Sequence, residues 1–124
     1  MNRMTIALLL ATLMFGNVNA YAHGEAKAKF GGVVAMASDL SFELVATSAG
    51  ATIYIEDHDK ALPTKDMSGK LTVLTGKESA NAVLKPTGDN KLDATGIKLM
   101  PGSKVVASIN LSSGKAVSVR FVLK

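Results

Sequence analysis

Lys104-Val-Val-Ala-Ser-Ile-Asn-Leu-Ser-Ser-Gly-Lys-Ala-Val-Ser-Val-Arg-Phe-Val-Leu-Lys124 reads as two strands and the turn that joins them. Val105, Ala107, Ile109 and Leu111 fall on one side of a two-residue period, and Val106, Ser108 and Asn110 on the other. After Ser112-Ser-Gly-Lys115 the alternation resumes. Val117, Val119, Phe121 and Leu123 share an apolar face, with Ser118 and Arg120 opposite. Successive strand side chains point to opposite faces, so this alternation marks strands with one face on a core.

Working back toward the amino terminus gives more of the same. Pro101-Gly102 is a turn preceded by short apolar pieces at 97–100 and around Leu92. Pro86-Thr-Gly-Asp-Asn90 predicts a turn after a strand over 80–85. Leu71-Thr-Val-Leu74 predicts a strand ended by Gly76-Lys77, and Pro63 assigns its neighbourhood to an edge or loop. In Thr52-Ile-Tyr-Ile-Glu56, Ile53 and Ile55 point inward and Tyr54 outward. In Leu40-Ser-Phe-Glu-Leu44 the apolar side is Leu40, Phe42 and Leu44, leaving Ser41 and Glu43 outside; Glu43 and Glu56 are expected in solvent. Val33–Ala37 is a short apolar run whose Met36 is expected to fill the core. No helical period is sustained beyond residue 22. Seven or eight short strands separated by turns predict an all-β, antiparallel, Ig-like β-sandwich over 32–124, without the cysteines and tryptophan of true immunoglobulin domains.

The amino terminus has another character. Asn2-Arg3 is followed by the uncharged run Ile6-Ala-Leu-Leu-Leu-Ala-Thr-Leu-Met-Phe15 and a small-residue exit, Ala20-Tyr21-Ala22. This order predicts a cleaved, helical signal peptide over 1–22, too short to span a membrane, and hence a secreted protein with no membrane span after processing. The mature chain has 124 − 22 = 102 residues, enough for one domain with one core. Residues 23–31 read as a flexible polar lead-in. The chain has no cysteine, which excludes disulfides, thiolate metal sites and a thiol nucleophile, and suits a bacterial periplasm. Once Arg3 leaves with the leader, 13 cations face 10 acids, a net charge of +3. Twelve of the cations are scattered lysines and aromatics are few, so a nucleic-acid partner is not expected.

Catalysis is not expected either. There are two histidines, His23 and His58, and no G-x-S-x-G or HExxH string. Two stretches carry metal-ligating residues. Cleavage after Ala22 would make His23 the first residue, its amine and imidazole able to chelate one ion, with Glu25 nearby. Cleavage after Ala20 would place His23 third, giving the amine, two amides and imidazole a square-planar nitrogen set suited to Cu(II) or Ni(II). The second stretch is Asp57-His58-Asp59, two carboxylates flanking an imidazole at a predicted hairpin tip, where Asp is also a good turn former.

Several strings carry a resemblance: His23-Gly24, Gly31-Gly32-Val-Val34, Asp39-Leu-Ser-Phe-Glu-Leu-Val45, Ile53-Tyr-Ile-Glu-Asp-His-Asp59, Ala61-Leu-Pro63, Lys70-Leu-Thr-Val-Leu74 and Leu84-Lys-Pro86. Together they resemble small periplasmic β-proteins and the amino-terminal β-domain of heavy-metal efflux adaptor subunits of the resistance-nodulation-division type. The resemblance implies a periplasmic accessory of metal handling, with Cu(II), Ni(II) or Zn(II) as the ion and an envelope or efflux-system protein as partner. The given sequence holds none of the coiled hairpin, lipoyl or barrel parts of such adaptors. A metal-independent envelope interaction module is the alternative.

Overall fold

A computed structural model describes residues 27–124 of the chain. The leader, His23 and Glu25 lie outside them. Nine strands follow one another: β1 (Val33–Ala37), β2 (Leu40–Ala46), β3 (Gly50–Asp57), β4 (Lys60–Ala61), β5 (Ser68–Thr75), β6 (Glu78–Gly88), β7 (Lys91–Thr95), β8 (Lys104–Asn110) and β9 (Ala116–Val122). Every pairing is antiparallel, and there is no helix among the described residues.

The order β1-β2-β3-β7-β6-β5-β8-β9, with β4 paired to the end of β3, makes one sheet that folds over on itself into a nearly barrel-like form. β5, β6 and β7 are joined by hairpins, and β8 returns beside β5, which is the Greek-key arrangement. β6 belongs to both halves. Its residues 78–84 pair with β5, and its residues 85–88 pair with β7. On the opposite side β1 and β9 approach one another without a shared ladder.

The alternation decides which side each residue takes. Phe42, Leu44, Ile53, Ile55 and Leu92 from one half meet Leu71, Leu84, Val105, Ile109, Val119 and Phe121 from the other in a single buried cluster. Thus the carboxy-terminal hairpin packs its apolar face inward as its sequence predicts.

Three local expectations are corrected. The turn expected over 86–90 is shorter, because β6 runs on to Gly88 and only Asp89 and Asn90 separate it from β7. Proline has no ladder donor, and a strand tolerates it at an irregularity; the register does shift between Pro86 and Gly88. Residues 97–100 form no strand, although Ile97 is buried. Met36 lies on the outer face at 55% exposure, opposite Ser41, so it fills no core; Met67 is the buried methionine of the domain.

Two-residue loops close several hairpins. Ser38 and Asp39 between β1 and β2, and His58 and Asp59 between β3 and β4, all have positive φ. Positive φ at both central residues is the type I′ pattern, whose twist matches that of paired strands.

Candidate functional site

The outer face of β1, β2 and β3 is where the chain departs most from its reading as a solvated surface. Glu43 sits mid-strand in β2, opposite Val34 of β1 and Tyr54 of β3. It points away from the core yet is only 6% exposed. The segment entering β1 covers it. Its Oε1 accepts the Lys29 N–H at 2.7 Å, and its Oε2 accepts those of Phe30 at 2.8 Å and Gly32 at 2.9 Å. Near-successive N–H groups converging on one point form an anion-binding concavity, and here the anion is the chain's own carboxylate.

The two glycines fit this geometry. Gly31 has φ +74, which turns the backbone so that the donors converge. Gly32 lies so close to β2 that a Cβ would come within 2.2 Å of the Leu44 carbonyl oxygen. Two side chains complete the contact. Lys29 Nζ donates to Glu56 Oε2 at 2.7 Å. The Phe30 ring stacks on Tyr54 with centroids 3.8 Å apart and planes 12° from parallel. Residues 29–32 are therefore docked on the sheet, where a polar lead-in was expected through residue 31. Glu43 and Glu56 are partnered rather than solvated.

The Asp57-His58-Asp59 turn follows directly from Glu56. His58 and Asp59 occupy the two left-handed positions at φ 49 and 66, and Asp57 still pairs with Lys60 in the ladder. Asp57 Oδ1 lies 2.5 Å from His58 Nδ1, with the His58 side chain largely in solvent and that of Asp57 about half so. In the tautomer that donates from Nδ1, the carboxylate orients the ring and Nε2 keeps the lone pair, the arrangement common behind metal-binding histidines. Asp59 makes no contact with that pair, but its charge acts on Lys29. The Lys29 ammonium is held above the ordinary lysine value, first by its hydrogen bond to Glu56; loss of solvent, the next largest influence, opposes this, and the charges of Glu56, Asp59 and Glu43 add to the rise.

Dock and turn thus share one end of one face. Asp57 and His58 touch, and Asp59 is their neighbour. Among the described residues no three histidine or acidic side chains converge as a metal ion would require. Sequence reading passed over Lys29, Phe30, Glu43 and Tyr54. Two signals were present: an acid inside the apolar run Leu40-Ser-Phe-Glu-Leu-Val45, and a Gly-Gly pair just before the first strand. In comparisons with known proteins, no protein-family model, no curated protein and no solved structure matches this chain.

Proposed function

We propose that this chain is a periplasmic, non-catalytic accessory protein that binds or presents a transition-metal ion of the Cu(II), Ni(II) or Zn(II) class in metal resistance or efflux. The observation that carries the reading is the anchoring of Lys29 between Glu43 and Glu56. Lys29 lies six positions after His23, and six residue steps of fully extended chain span about 20 Å. Whatever path the segment takes, His23 stays within that radius of Lys29, whose ammonium feels the charge of Asp59. The terminal amine and His23 supply the strong nitrogen ligands. Glu25, His58, Asp57 and Asp59 are the further donors in this reading.

Titration of the secreted protein with Cu(II), followed by visible absorption, tests this. The expected outcome is uptake of about one ion with planar-nitrogen spectra. His23→Ala abolishes it, and His58→Ala weakens it less. Uptake no greater than that of His23→Ala ends the proposal.

One observation favours the metal-independent alternative. Residues 78–84 of β6 pair with β5 on one side only, and Val83 there is 61% exposed. An open edge of this kind can accept a strand from an envelope protein. In that case both histidine variants keep their partner in a pull-down, and a proline placed between Ser79 and Val83 loses it.

A further inference from the structure

Between the β1–β2 turn, the loop from β4 to β5 and the β8–β9 turn lies a cavity of about 290 Å³. Leu40, Leu62, Met67 and Leu111 give it apolar walls. Ser38, Ser112, Ser113 and Lys115 complete its lining.

Hydrogen bonds hold these walls apart. Thr64 is fully buried, its Oγ1 donating to the Lys91 carbonyl at 2.7 Å and its N–H to the Asp89 carbonyl at 3.0 Å. The Leu62 N–H donates to the Ile55 carbonyl, and the Met67 N–H to the Thr64 carbonyl. The loop carrying Leu62 and Met67 is thereby fixed to β3 and to the β6–β7 turn. On the facing side the Leu111 N–H donates to the Lys115 carbonyl and the Gly114 N–H to the Leu111 carbonyl, each at 2.8 Å. The cavity is built, and its loops cannot collapse into it without breaking backbone bonds.

We infer that this cavity, which neither the dock residues nor Asp57, His58 and Asp59 line, binds a small amphiphile, an apolar tail with a single carboxylate head. The volume fixes the size. At about 30 Å³ for each water-sized group, the space holds about ten non-hydrogen atoms, near the lower end of small-molecule pockets. The walls fix the tail, since four apolar side chains offer nothing to a polar one. Lys115 fixes the head. It is the one ionisable side chain among the lining residues, and among the described residues no carboxylate pairs with it. The serine hydroxyls beside it can donate to the second carboxylate oxygen. A medium-chain fatty acid has these dimensions.

Sodium octanoate is the probe, titrated by calorimetry into the protein as expressed, with octan-1-ol and sodium butyrate in parallel and the side-chain methyl groups followed by NMR. The expected result is one saturable octanoate site that shifts the methyls of Leu40, Leu62, Met67 and Leu111. Octanol binds about fivefold more weakly, as befits loss of one solvent-facing ion pair, and butyrate does not saturate. Lys115→Gln lowers octanoate to the level of octanol. Ser113→Trp, at an exposed turn position that leaves the core intact, blocks both. Absence of saturation by octanoate, methyl shifts elsewhere, equal affinity for octanol, or indifference to Lys115→Gln would each overturn the inference.

Discussion

The two outer faces of this sheet are written in the same alternating script and have opposite fates. On β5, β8 and β9 the outward positions Lys70, Ser108 and Ser118 lie in register and, like Arg120 two residues on, stay exposed. On β2 and β3 the equivalent positions Glu43, Tyr54 and Glu56 are covered by residues 29–32. Alternation tells which side of a strand a residue takes. It does not tell whether something else in the chain will cover that side.

The largest effects should be the same on both halves, because they share one core. Phe42→Ala and Phe121→Ala are each expected to cost about 3–5 kcal/mol, with a single urea transition, since each leaves a cavity in one continuous cluster. Two transitions would mean that the halves are separate cooperative units.

The outer faces should then divide. Glu43→Ala removes a carboxylate accepting three N–H bonds and is expected to cost about 2 kcal/mol, with amide exchange at residues 29–32 rising to the rate of free chain. Arg120→Ala, its counterpart on the bare face, is expected to stay within about 0.5 kcal/mol. Equal costs in the same denaturation series would remove the distinction.

A smaller effect separates ring stacking from the clamp. Phe30→Ala is expected to cost about 1 kcal/mol, to move the Tyr54 ring resonances, and to leave the amides of residues 29 and 32 protected. The smallest effect is one of pH. Because the native Lys29 ammonium is held above its ordinary value of 10.5, its contribution is fully present below that value. It is lost as pH rises through the higher native value. Alkaline titration followed by NMR should therefore release the Lys29 side chain before the Glu43 clamp opens, and Lys29→Gln should erase that early step.

The β8–β9 hairpin was legible because both its period and its turn are local. The His58-Asp59 turn was legible for a related reason: short polar residues with turn-forming Asp directly follow the alternating run Thr52-Ile-Tyr-Ile-Glu56. Glu43 was not, since its partners are backbone N–H groups 11 to 14 residues upstream, and backbone donors have no letter in a sequence. Pro86 misled because a proline usually ends a strand, whereas here the strand has just changed partners, after Leu84, and its register shifts directly after Pro86. Of residues 97–100, Ile97 is buried and Leu99 partly so beyond the end of β7, a role that leaves no strand period. Of the candidate metal ligands, the turn residues could be placed by local rules alone, and the dock that bounds the reach of His23 could not.

The Glu43 clamp also sets an order of events. Residues 29–32 are made before the strands that receive them, yet they have nothing to bind until β2 and β3 have paired and brought Glu43, Tyr54 and Glu56 side by side. The earliest part of the domain to be synthesised is thus among the last to settle. Until then residues 29–32 remain open to whatever enzyme or partner acts on unpaired chain.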